Sequence, residues 1–182
     1  MSTSAVPTSS LVTPWERAAA RVARDAWVPP SVIEISGKPG GTGVALVRSA
    51  TGSRRQLQHQ LVVLEQELGA AGLQPALIVI ASASGNSPLD ESPWLRRLTS
   101  IGAGKRLAWL AVTDLDRISR NGSTTGLCAE ILEANDAQLL VGARRVTVEE
   151  ARWSALLISK EGDRQSRRIR AGLERRTKQR SS

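Results

Sequence analysis

Five arginines stand in two short segments that each follow an apolar run: Arg48, Arg54 and Arg55 around the end of residues 43–48, and Arg117 and Arg120 after residues 107–113. Hydroxyls at Ser49, Thr51, Ser53 and Ser119 are interleaved with them. An arginine fork grips phosphate oxygens through two parallel hydrogen bonds, and several forks together stabilise a crowded phosphoryl group without a metal. A phosphodiester is the substrate class that fits. The competing reading is local: Asp114, Asp116, Arg117 and Arg120 stand within a few residues of one another, at separations that include three and four, where ion pairs near a helix start form without any ligand.

Other chemistries have few residues to work with. Cys128 is the only cysteine and His59 the only histidine, so disulfides are excluded and zinc or Cys/His catalysis lacks ligands. Cys128 lies among apolar residues and reads as a buried thiol; His59 reads as solvated. No metal and no cofactor are expected. Of the net charge of +8, residues 164–182 carry +7, from eight Lys or Arg against Glu174 alone. A basic segment on a nearly neutral body points to a polyanion met at one place.

The elements that must position the arginines follow from hydropathy. Residues 1–13 are rich in Ser, Thr and Pro and read as disordered. A short amphipathic helix is expected from Pro14, with Trp15, Ala19, Val22 and Trp27 near helical spacing and Pro29-Pro30 as its end. The glycine-rich stretch 37–43 reads as a connector. Residues 43–48, 76–81, 107–113 and 138–141 are continuous apolar runs, the pattern of strands covered on both faces. Helices are predicted between them over 55–71, 94–101 and 123–134, the first with Leu57, Leu61, Leu64, Leu68 and Ala71 in one stripe and Gly72 as its stop. The second of these is preceded by a Ser/Gly/Pro loop over 82–93. From Val148 the pattern is helical to about Arg176. This order predicts an α/β fold of three layers, an open, mostly parallel sheet followed by a long C-terminal helix. Three parts are expected: an N-terminal extension over 1–42, the main domain over 43–147, and a helix with a basic tail over 148–182.

Asp116-Arg-Ile-Ser-Arg120 resembles the Asp-Arg-Leu-(Ser/Gly)-Arg motif of the catalytic domain of serine recombinases, the resolvase and invertase family. Ala45-Leu-Val-Arg-Ser-Ala-Thr51 is similar to that family's first-strand motif Tyr-x-Arg-x-Ser-Thr. Gln56 and Gln60 match the start of its next helix, and Arg168-Ile-Arg-Ala-Gly-Leu173 its Arg-Thr-x-x-Gly-Leu close. The matches run in order over about residues 43–176. Together they imply a resolvase-like fold, Arg48, Arg117 and Arg120 as phosphate-holding catalytic arginines, and Thr51, Gln56, Gln60 and Asp116 as supporting residues.

At the position of the family's nucleophilic serine this chain has Ala50, and Ser92 stands at the position of a further phosphate-binding arginine. Alanine forms no phosphodiester-level intermediate, and nothing evident activates water in its place. The resemblance is therefore to a degenerate member, a DNA-binding accessory or regulatory relative. Ser49, one residue earlier, is the alternative nucleophile of an active strand-cleaving enzyme. A protein-interaction module that does not touch DNA is the third reading. A nucleotide-binding protein of another kind fits least, because Gly40-Gly-Thr-Gly43 precedes the first strand.

On a helix, Arg164, Arg167, Arg168, Arg175 and Lys178 fall on one side, with Ile169 and Leu173 pointing away. The resemblance implies that this segment and Arg170 contact the phosphate backbone and the minor groove, and that the long helix pairs with a second copy or with an active recombinase. With no reader domain after Arg180, weak sequence specificity and salt-dependent affinity are expected. The absence of a signal sequence or apolar span predicts no membrane association and a cytoplasmic, nucleoid-associated protein.

Overall fold

The computed structural model describes residues 12–27, 31–38, 43–84, 93–104, 107–120, 122–154, 156, 157 and 160. The sheet runs through β1 (Ser31–Ser36), β2 (Gly43–Ser49), β3 (Leu77–Ser82), β4 (Trp109–Val112), β5 (Gln138–Val141) and β6 (Arg144–Val146). Its spatial order is β1-β3-β2-β4-β5-β6. The four central strands are parallel, and each edge strand is antiparallel to its neighbour. The mostly parallel sheet predicted from the apolar runs is thus present.

Helices α1 (Pro14–Arg24) and α2 (Arg54–Ala70) cover one face, and α3 (Pro93–Ala103) and α4 (Gly122–Ala134) the other. Alternation along the strands explains why the runs are apolar throughout: in β2, Val44 and Leu46 join the α3/α4 core, whereas Ala45 and Val47 join the α1/α2 core. The α2 stripe buries Leu57, Leu61, Leu64 and Leu68. Ala71, expected in that stripe, is instead the exposed C-cap, because the helix ends one residue earlier and Gly72 takes the left-handed conformation at φ +69°.

Two strands were not read from the sequence. β1 lies between Pro30 and the glycine-rich connector, and it pairs with β3 from Ser31↔Ser82 to Ser36↔Leu77. β6 has one buried residue, Val146, and returns through a tight turn at Gly142, φ +59°. Its exposed Arg144 and Arg145 give that edge a charged border.

The α1 helix starts at a capping box, with Thr13 Oγ1 accepting from the Glu16 amide at 3.0 Å and the Glu16 carboxylate accepting from the Thr13 amide at 2.6 Å. It buries Trp15, Ala18 and Val22 against α2, with Ala19 half-buried. The described part of the N-terminal extension therefore supplies a helix and an edge strand to the same core and sheet. A second capping box, Thr147 with Glu150, opens a helix over 148–154 that continues at 156, 157 and 160. Residues 1–11, the loop 85–92 with Ser92, and the predicted helix beyond 160 lie outside the described residues. No described helix is long and apolar enough to cross a membrane.

Candidate functional site

The chain leaves β2 for α2 on one face and β4 for α4 on the other, so the gap between β2 and β4 is the point where the winding reverses. Crevices at such points, beyond the carboxyl ends of parallel strands, are the usual ligand sites of open α/β sheets. Here the gap is widened by unequal lengths. β2 and β4 pair only from Gly43↔Trp109 to Ala45↔Ala111, while Arg48 and Ser49 stay paired with Ala81 and Ser82 of β3.

Side chains replace the missing ladder at Arg48. Gln60, buried on α2, accepts from the Arg48 amide at 3.1 Å and donates to the Arg48 carbonyl at 2.9 Å. The Arg48 side chain, on the opposite face, crosses to the segment after β4. Nε donates to the Arg117 carbonyl at 2.7 Å, Nη1 to the Ala83 carbonyl at 2.9 Å, and Nη2 to the Asp116 carbonyl. One guanidinium thus ties the ends of β2, β3 and β4 together. It is 3% exposed, and burial pulls its pKa down to about 10 against the opposing pull of Asp116, so it remains a cation at neutral pH.

Because β2 runs on through Ser49, period-two alternation sends Ser49 to the face opposite Arg48. Its hydroxyl, 0% exposed, accepts from the Ser53 amide at 3.0 Å and donates to Gln56 Oε1 at 3.0 Å. Attack on a phosphate by Ser49 would require this hydroxyl to leave both partners and emerge. Ala50 and Thr51, in contrast, are exposed at the tip of the loop. Gly52 follows at φ +68°, where an added Cβ would lie 2.5 Å from the Trp27 carbonyl oxygen.

The segment after β4 is built differently. A short 3-10 turn, Leu115–Arg117, presents Asp116 between two arginines: Arg117 Nε lies 3.2 Å from its carboxylate and Arg120 Nη2 3.6 Å. Of the ion pairs expected at separations of three and four, Asp116–Arg120 is present; Arg117 pairs instead with its neighbour Asp116, and both contacts are loose. Arg117 Nε and Asp116 Oδ1 are buried without an aligned hydrogen bond, as is Thr113 Oγ1. Arg117 borders two crevices. One, of about 210 Å³, is lined by Gln56, His59, Gln60, Val63, Thr113, Asp114 and Arg117. The larger, of about 560 Å³, adds Leu115, Asp116, Val141, Arg144, Ser154 and Leu157 to Asp114 and Arg117.

No protein-family model matches the chain, and no curated protein does. A solved structure is similar. It is the C-terminal catalytic domain of ISC1926 TnpA, an IS607-like serine recombinase, at 20% identity and a TM-score of 0.48, covering 54% of this chain and 66% of that one.

Of the residues singled out in the sequence, hydrogen bonds and ion pairs join Arg48, Ser49, Gln56, Gln60, Asp116, Arg117 and Arg120 into one neighbourhood. Ser119 is buried beside them. Arg54 turns away to the Asp25 carbonyl at 3.3 Å, and Thr51 and Arg55 are exposed. Arg164, Arg167, Arg168, Arg170, Arg175 and Lys178 lie outside the described residues. Trp27, expected on the first helix, instead lies beyond its end at Arg24 and braces Gly52, a role the sequence did not show. Among the described residues no group of three or more His, Cys, Asp or Glu could hold a metal ion. Burial pushes the Cys128 thiol up to about 12, so no reactive thiolate is offered at neutral pH.

Proposed function

We propose that this chain is a serine-recombinase-like DNA-binding protein that holds DNA phosphate without cutting it, an accessory or regulatory relative of active recombinases. The observation that carries the reading is the split between neighbouring residues of one motif: Ser49 is buried with its hydroxyl engaged twice, and the exposed position beside it is Ala50. The phosphate-binding half is supported by Arg117 and Arg120, 26% and 55% exposed at the side chain, which share the Asp116 carboxylate at 3.2 and 3.6 Å. A phosphate oxygen offers these forks better-aligned hydrogen bonds than Asp116 does.

Arg48 serves in this reading from behind, fixing the Asp116 and Arg117 backbone so that the forks stay placed. Affinity comes from phosphates, with the basic segment 164–182 as a further contact along the backbone and minor groove, and so falls steeply with salt. A cytoplasmic, nucleoid-associated location goes with it. The expected outcome in a fluorescence-anisotropy titration is salt-dependent binding to duplex DNA. Arg117→Ala with Arg120→Ala weakens it at least about tenfold and lowers the salt slope by about two. Absence of binding at low salt contradicts the proposal.

A partner along the terminal helix is favoured by a separate observation: Trp153, Leu156 and Leu157, at helical spacing, are 67%, 49% and 66% exposed. They suit a second copy of the chain or a related recombinase. Sedimentation of the wild type against Trp153→Ala/Leu157→Ser tests it; a monomer in both, alone and with an active recombinase, contradicts it.

A further inference from the structure

The arginines of α1 form a charged strip outside the motifs so far discussed. Arg17, Arg21 and Arg24 recur at i, i+4 and i+7 and share one side of the helix, opposite the buried Trp15, Ala18 and Val22. The helix runs along the sheet toward the edge that carries the site. Near its start, Arg17 Nη2 donates to the Ser36 carbonyl at 2.6 Å, where β1 pairs with the first residue of β3. Just past its end, the Asp25 carbonyl accepts from Arg54 Nε at the start of α2, and Trp27 lies against Gly52 in the loop that follows Ser49.

Arg21 and Arg24 are 42% and 69% exposed at the side chain, and Arg54 and Arg55 are exposed too. Two acids stand among them. Glu16 is engaged in the capping box, and Asp25 pairs with Arg21 at 2.6 Å and Arg24 at 3.3 Å. Five arginines against these two acids leave +3 on the strip, whereas residues 1–163 together carry +1.

We propose that α1 and the first turn of α2 form a second phosphate-backbone contact for duplex DNA, independent of the basic tail and continuous with the carboxyl-edge site. The inference rests on the DNA-binding reading above and extends it to a part of the chain that the recombinase motifs do not reach. Arg17 and Arg24 are about 10 Å apart along the helix axis, at 1.5 Å per residue. Duplex DNA presents a phosphate about every 3.4 Å of axis on each strand, so the strip matches about three. Asp25 is itself half-buried, but the arginines it pairs with are 42% and 69% exposed, and ion pairs open to water on one side are weak enough to exchange for a phosphate. The Arg54 bond and the Trp27 contact keep the end of α1 fixed against the site loop, so both contacts would meet one duplex together.

The test uses the full chain and a labelled duplex of arbitrary sequence, titrated by anisotropy over a series of salt concentrations. The variant is Arg21→Gln/Arg24→Gln/Arg55→Gln; Arg17 and Arg54, which hold backbone carbonyls, are left in place. The expected result is an affinity at least about tenfold lower and a salt slope smaller by about two to three, with an unchanged thermal unfolding curve. The matching triple Lys variant keeps the slope. A Gln variant that folds and binds with wild-type affinity and slope overturns the α1 contact while leaving the DNA-binding reading intact. A wild-type chain that binds no duplex removes both.

Discussion

The loop after β2 and the segment after β4 stand at the same end of the sheet and carry the two halves of one motif set, yet they use their polar groups in opposite ways. In the first, Ser49, Gln56, Gln60 and the Arg48 guanidinium are spent on backbone groups and on each other. In the second, Arg117 and Arg120 share one carboxylate loosely and border open crevices. A group whose hydrogen bonds are all made internally contributes to stability, and one left underused is available to a ligand. By that criterion the first half is scaffold, and the second has the arginines available to the ligand proposed above.

Substitution of Arg48 should damage the first half most. Arg48→Ala leaves the carbonyls of Ala83, Asp116 and Arg117 without their donor and opens a buried cavity, so a loss of about 3 kcal/mol or more is expected in denaturant unfolding. Arg48→Lys recovers little of it, because one ammonium does not span three acceptors in a fork geometry. Gly52→Ala, in the same half, forces a Cβ into the left-handed region and against Trp27, with an expected cost of about 1–3 kcal/mol in the same assay.

The other half behaves inversely. Arg117→Ala/Arg120→Ala changes stability by no more than about 0.5 kcal/mol per site while removing most of the site's DNA affinity; a large fall in melting temperature would show that these arginines are scaffold too. The smallest effect is expected at Glu150. The Thr147 amide holds its carboxylate below the usual range, so its contribution to the terminal helix is present above the ordinary carboxylate pKa and is lost as pH falls through the lowered one. Far-ultraviolet circular dichroism should show slight fraying there on acidification, and Glu150→Gln should abolish that pH dependence.

Most of the fold was legible because the central strands are covered on both faces and therefore read as unbroken apolar runs. β1 escaped because its alternation is partial and its place is fixed by antiparallel pairing with β3, a contact remote in sequence. β6 is three residues with one inward side chain, too short to show a period. In the site, the residue types suggested a phosphate ligand, but not which arginine is presented. That depends on β2 outrunning β4, which leaves Arg48 to fill the gap with its own guanidinium. The orientation of Ser49 likewise turned on whether the strand continued to residue 49; it does, and alternation then points the hydroxyl at α2.

In the proposed reading the serine half of the site is closed to DNA. This is tested most directly by incubating the full chain with supercoiled DNA under conditions that trap phosphoserine adducts and resolving the products on a denaturing gel. The structure predicts no covalent protein-DNA band and no relaxed or nicked product above background. A covalent band that disappears in Ser49→Ala would contradict it.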